Sequence, residues 1–206
     1  MKTTDDDTYR LYKINTGIHT KLSCNTLTLD QIIDRIEYMT AMHSKTLCVR
    51  IDIVNDTDGY SVLERHHVTR LLEDTKRHLE SKQRNNRNKL DFQHIWTTEK
   101  GSEGEYPHYH FLILVNGSAI QNGYSIKETL NNYVMQKQQT EKRGLVHFSE
   151  SNGPRGIMID RNADDFESRM ADAVHAGSYL AKTRTKEQNP KGARFSSASR
   201  LPRDMD

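Results

Sequence analysis

Apolar residues recur along this 206-residue chain at two different spacings. From Thr28, the run "TLDQIIDRIEYMTAMH" places Leu29, Ile32, Ile33, Ile36 and Met39 three and four apart, as one buried helical face requires. The run "LCVRIDIV", 47–54, changes period. Leu47, Val49, Ile51 and Ile53 share one face, and Cys48, Arg50, Asp52 and Val54 the other, which is the pattern of a strand. "NDTDGY" then supplies turn chemistry, and 61–83 reads as a long amphipathic helix carrying Leu63, Leu71, Leu72 and Leu79. "LDFQHIWTTE", 90–99, and "HYHFLILVN", 108–116, are strand-like and predict a hairpin across the Gly-rich, Pro-ended "KGSEGEYP". A helix follows over 125–139, then two short strands, "LVHFSE" and "GIMIDR". A last helix starts near Asn162 and runs toward Lys182, with Gly177 a place for it to bend or break. Strands joined by helices, with an antiparallel hairpin among them, indicate an α+β fold. The expectation is a central antiparallel sheet of about five strands, with His108 and His110 on a central strand and the 61–83 helix packed against it.

Composition narrows this picture. The apolar fraction is 34%, so the core is modest and the solvated surface large. No apolar run approaches a membrane span, and the acidic start "MKTTDDDTYR" is unlike a secretory signal. Cys24 and Cys48 form no metal or disulfide pattern, which points to a reducing, cytoplasmic setting. The net charge is only +2, but its distribution is uneven. Arg184, Lys186, Lys191, Arg194, Arg200 and Arg203 face a single acid, Glu187, between residues 183 and 203. Such a segment suits phosphate contacts and equally suits a solvated tail. The expected organisation is an N-terminal extension over 1–28, a folded domain over 29–183 and this basic C-terminal segment over 184–206.

Three places carry candidate chemistry. Alternation along a strand puts His108 and His110 on one face and Tyr109 on the other. Two such imidazoles can share a metal ion or can simply be surface histidines. Glu99 ends the partner strand of the hairpin, where it would lie beside them and complete a His-His-carboxylate set with open positions. Glu103 and Glu105, in the neighbouring loop, are alternatives for that carboxylate. Asp52 is a candidate to support the ligands from behind, or a plain polar strand residue. Downstream, "HAGSYLAKTRTK" spaces Tyr179 and Lys182 i, i+3, one helical face. Ionising an ordinary tyrosine at pH 7 costs about 4 kcal/mol, and a neighbouring ammonium would reduce that. The same lysine could instead hold a phosphate or stabilise a leaving group.

In combination, "PHYHFLILVN" and "YLAK" resemble the HUH endonucleases, the rolling-circle replication initiators, relaxases and related transposases. The upstream "TLCVRIDIV" resembles their first conserved strand. The nearer likeness is to inovirus-type initiators of filamentous phages and prophages, through Trp96, Glu99, His108, His110, Tyr179, Lys182 and "ARFSSASR", over roughly 45–201. The resemblance implies the HUH/Rep nuclease fold for 29–183. It implies a divalent ion, Mg²⁺ or Mn²⁺, held by His108, His110 and Glu99, with Tyr179 as the nucleophile assisted by Lys182. It also implies single-stranded DNA at a replication origin as substrate, held in part by Arg184, Lys186, Arg194 and Arg200, inside a bacterial host.

The expected activity is therefore nicking and joining of single-stranded DNA through a 5′-phosphotyrosyl intermediate, to start rolling-circle replication. A relaxase or single-strand transposase would use the same chemistry, and a DNA-binding regulator could keep the fold without it. Two features depart from the family pattern. Thr183 stands where some phage initiators carry a second tyrosine, and a chain ending at Asp206 is expected to rely on a separate helicase.

Overall fold

Alternating side chains make β1 (Lys45–Ile53) a two-sided strand, and the sheet is built outward from it. The other strands of this sheet are β2 (Phe92–Glu99), β3 (His108–Asn116), β4 (Val146–Phe148), β5 (Ile157–Asp160) and β6 (Ser196–Ala198). In the computed structural model, which describes residues 2–17, 21–56, 58, 60–99, 106–149, 156–183 and 196–202, they form one antiparallel sheet in the order β6-β2-β3-β1-β4. The outer edge of β1 is shared, since β5 pairs with its first half and β4 with its last. The expected α+β architecture is borne out, with six strands where about five were expected.

Four helices cover the two faces. Helices α2 (Arg65–Lys82) and α3 (Tyr124–Gln138) lie over one face. There Val68, Leu71, Leu72, Leu130 and Val134 pack on Leu47, Val49, Ile51, Trp96, Phe111 and Ile113. Helices α1 (Thr26–Met42) and α4 (Phe166–Ser178) lie over the other, where Ile32, Ile33, Ile36, Met39, Met170 and Val174 meet Cys48, Ile95, Leu112 and Leu114. Each fully buried aliphatic side chain contributes about 1.5–3 kcal/mol relative to exposure, so burying both faces of β1 and β3 fixes their register.

Local chemistry sets the helix ends. Asn25 caps α1 by accepting the Thr28 N–H at 2.8 Å. Helix α2 begins four residues later than the apolar spacing predicts because the backbone of Leu63 is already engaged. Its N–H donates to Asn55 Oδ1 at 2.6 Å, and its carbonyl accepts the Tyr109 hydroxyl at 2.9 Å. Glu64 then opens the helix in a reciprocal capping pair with His67.

The N-terminal segment shows no periodicity, yet it is tied to the domain. Thr3–Thr4 pairs with Cys24–Asn25, and Thr8–Tyr9 with Tyr12–Lys13. The Tyr9 hydroxyl donates to Asp30 at 2.9 Å, and Arg10 reaches Asp34 and Glu37 on α1. Those ion pairs are exposed and worth under about 1 kcal/mol each. The firmer attachment is apolar: Ile14 and Cys24 are buried against Leu29 and Ala181. At the other end of the chain, β6 docks on β2 from Ser196↔Thr97 to Ala198↔Ile95. The buried Arg35 guanidinium holds the residue after it, donating to the Ser199 carbonyl and to Gln31 O.

Candidate active site

The antiparallel register of β1, β2 and β3 gathers the polar residues of the α1/α4 face at one end of the sheet. Asp52 and Thr97 lie opposite His110 on its two neighbours, and Glu99 lies opposite His108. The Oδ1 of Asp52 is 2.7 Å from His110 Nδ1, a charge-assisted hydrogen bond that fixes the ring. The other ring nitrogen, Nε2, points toward Glu99 Oε2 at 3.3 Å, within ion-pair range but out of line for a hydrogen bond. His110 is only 9% exposed, and its Nε2 and the Thr97 hydroxyl are buried polar atoms without a hydrogen-bond partner among the described residues. Burial opposes charge on the imidazole, but hydrogen bonding to Asp52 and the charge of Glu99 outweigh it. The ring is held above its ordinary pKa.

Helix α4 brings Tyr179 to this cluster. Gly177 allows the approach: a Cβ there would sit 2.9 Å from Leu112 Cδ2 and 3.0 Å from Ile32 Cγ2. The helix ends at Ser178, and Tyr179–Ala181 continues as one tighter 3₁₀ turn. Three residues per turn stack i on i+3, and the Lys182 ammonium indeed lies over the Tyr179 ring, 4.3 Å from its centroid. The Arg50 guanidinium also lies over that ring, at 3.9 Å, and the His110 ring meets it edge-on at 5.5 Å.

Both cations thus lie over the ring of Tyr179. Burial raises the phenol above an ordinary tyrosine, Glu99 and Asp52 raise it further, and Arg50 is the charge acting against them. Burial also pulls Lys182 below its ordinary value.

The segment after the turn is held in place. Lys182 bridges to Cys24, and the Thr183 N–H and hydroxyl both donate to Ser23 O at 3.0 Å. The Asn15 N–H donates to Ser178 Oγ at 2.7 Å. Thr183 is therefore buried and structurally engaged at the position where a second tyrosine would stand. Tyr109 is buried on the opposite face, with its hydroxyl committed to Leu63 O and its pKa pushed well up by burial.

Of the residues singled out in the sequence, Tyr179, Lys182, His110, Glu99 and Asp52 converge. His108 shares their face one step further out, across from Glu99. Among the described residues, no three His, Cys, Asp or Glu side chains gather closely enough to hold a metal ion as they stand. A partial site does fit one. With Nδ1 engaged by Asp52, His110 presents Nε2 as a buried, unpartnered nitrogen beside a carboxylate, a donor pair suited to a divalent cation. Glu103, Glu105, Arg184, Lys186 and Arg194 lie outside the described residues. Arg200 is not brought to the cluster; it lines a recess of about 610 Å³ at the opposite end of β2, with His43, Asp91 and Lys89. Arg50 was missed as a site residue. The signal was present in "LCVRIDIV", where a full charge stands on the second face of a strand whose flanking positions are apolar.

Fold and cluster together define an α+β domain with a tyrosine, a histidine and two carboxylates at the end of a central antiparallel sheet. The chain belongs to the YagK/YfjJ C-terminal domain family, whose model matches residues 4–198. No curated protein shows significant sequence similarity to it. A solved structure similar over part of the chain is the catalytic domain of the Adeno Associated Virus type 5 Rep protein, at 16% identity and a TM-score of 0.31, covering 57% of this chain and 75% of that one. No helix among the described residues is long and apolar enough to cross a membrane.

Proposed function

We propose that the protein is an HUH-type endonuclease of inovirus character, which nicks and rejoins single-stranded DNA at a replication origin to start rolling-circle replication. The observation that carries this reading is the convergence of Tyr179 with His110 and its two flanking carboxylates, from segments some 70 residues apart, in the order of the motifs quoted above. His110 Nε2 and Glu99, with His108, would hold a divalent cation, Mg²⁺ or Mn²⁺, whose charge would offset that developing on the phosphoryl oxygens. Asp52 orients the His110 ring so that Nε2 faces Glu99. Tyr179 Oη attacks phosphorus in line and loses its proton to solvent. The Oη–P bond forms, the bond from phosphorus to the 3′ oxygen breaks, and that oxygen takes up a proton, leaving a free 3′-hydroxyl primer. Lys182 binds the phosphate between these events, and rejoining is the same displacement in reverse. The basic residues Arg184, Lys186 and Arg194 would bind the strand through its phosphates, and a separate helicase would supply unwound template.

The test is cleavage of single-stranded origin-containing DNA with Mg²⁺ or Mn²⁺, followed by mass spectrometry of the trapped adduct. The expected result is one phosphotyrosyl link per chain, on Tyr179, because Thr183 is a buried structural residue. Tyr179→Phe should bind DNA and form no adduct, and Lys182→Ala should be slowed without being silenced. Absence of cleavage by the native protein, or an adduct on another tyrosine, overturns the reading.

A further inference from the structure

Arg50 is a costly residue for its place. It lies on β1, with strands on both sides, and its side chain is 6% exposed. Its cross-strand partner is Leu112, and a leucine would pack at position 50 without the desolvation of a charge. Its guanidinium has two neighbours that bear on the chemistry. One is the Tyr179 ring, 3.9 Å away; the other is Asp52, whose Oδ2 lies 3.5 Å from an Arg50 Nη. The second oxygen of that same carboxylate holds His110 Nδ1 at 2.7 Å. Asp52 thus has one arm on the histidine and one on the cation over the tyrosine.

We propose that Arg50 is a positioning residue for the nucleophile: its guanidinium seats the Tyr179 ring and, through the shared Asp52 carboxylate, holds that ring in register with His110. The need for such a support follows from the backbone. Tyr179 opens a three-residue 3₁₀ turn where the α-helix ends, so the regular helical ladder does not continue past it. A planar guanidinium lying over an aromatic face restrains the ring's tilt, whereas the Lys182 ammonium is a point charge on a flexible stem. The consequence for cleavage rests on the reading of Tyr179 as nucleophile. The positioning itself does not.

The test uses the full chain with 3-fluorotyrosine placed at position 179 alone, in the native protein and in Arg50→Gln and Arg50→Lys. The native fluorine resonance should be narrow and displaced from that of the urea-unfolded chain. It should move toward the unfolded position in Arg50→Gln and less far in Arg50→Lys. At saturating DNA, adduct formation on an unmodified Tyr179 should slow by about a hundredfold in Arg50→Gln and by about tenfold in Arg50→Lys. The half-saturating DNA concentration and the calorimetric Mn²⁺ affinity should change by less than about threefold. A resonance that stays in place in a variant with a native melting curve overturns the proposal. So does a loss of Mn²⁺ affinity as large as the loss of rate, which would make Arg50 a support for His110 alone. Should Arg50→Gln fail to fold, Arg50→Lys decides by the same measurements. Should the native protein form no adduct, the proposed function falls and the fluorine resonance still decides where the ring is held.

Discussion

Acid should weaken this fold through His94 more than through the site histidine. His94 lies on β2 beside Phe92, with ring centroids 6.1 Å apart, and its Nδ1 is buried without a hydrogen-bond partner among the described residues. Burial pushes its pKa down to about 4, and the charges of Arg35 and Lys76 act in the same direction. A histidine with a depressed folded pKa stays neutral in the native state while the unfolded chain takes up a proton, so stability falls as pH drops below about 6.5. Linkage between folded and unfolded values of about 4 and about 6.5 gives a loss of about 2 kcal/mol between about pH 7.5 and about pH 5. In a chain of this size that corresponds to a fall in Tm of about 4–8 °C. His110, whose pKa is raised, acts in the opposite sense, because its proton-bound pairing is present at low pH and lost as pH rises through the folded value. The informative quantity is therefore a difference. Urea unfolding of the native protein and of His94→Gln at both pH values should show the variant losing about 2 kcal/mol less. A difference between the two pH dependences below about 0.5 kcal/mol would refute the account.

Other consequences can be measured at the site and its supports. Gly177→Ala forces a methyl against Leu112 and Ile32, so urea unfolding should show a loss of about 1–3 kcal/mol, and an unchanged midpoint would contradict the close approach. Asp52→Asn removes the charge behind His110 and should weaken calorimetric Mn²⁺ binding by about tenfold or more, while an unchanged isotherm would detach Asp52 from the proposed metal site. Substituting Arg184, Lys186 and Arg194 by Ala together should lower the slope of log affinity for single-stranded DNA against log salt by about 0.7 per charge, and an equal slope would leave the segment a solvated one. Deleting 184–206 is the poorer version of that experiment, because it also removes β6 and the residue that Arg35 holds.

What could be read in advance was what repeats. Helix α1 and strands β1 and β3 carry uninterrupted apolar periodicity, and each formed within a few residues of its expected bounds. Strand β6 was not visible, because Ser196–Ala198 has no apolar alternation; its edge pairing is secured by Arg35, more than 160 residues away. The N-terminal strands are two residues long each, too short to show a period. At the site, strand alternation and the hairpin placed His108, His110 and Glu99 on neighbouring strands, while the meeting of Tyr179 with His110 was implied only by the family resemblance. They did not predict how the charges would act. Whether Lys182 reaches the hydroxyl or the ring face depends on a 3₁₀ turn, and the phenol's environment depends on Glu99 and Arg50, which arrive from other strands.

The clasp between Ser23 and Thr183 also bears on the order in which the molecule can be made. Synthesis proceeds from the N-terminus, and domains fold as their segments emerge. The sheet positions bearing Asp52, Glu99 and His110 are all present once residue 116 has been added. The turn carrying Tyr179 comes some 60 residues later, and the hydrogen bonds from Asn15 to Ser178 and from Thr183 to Ser23 span 163 and 160 residues. Contacts of such separation form late, since the whole intervening chain must be organised before they close. A growing or half-folded chain therefore carries the histidine and carboxylates without a docked tyrosine. Competence for the proposed cleavage would then be a property of the finished molecule alone.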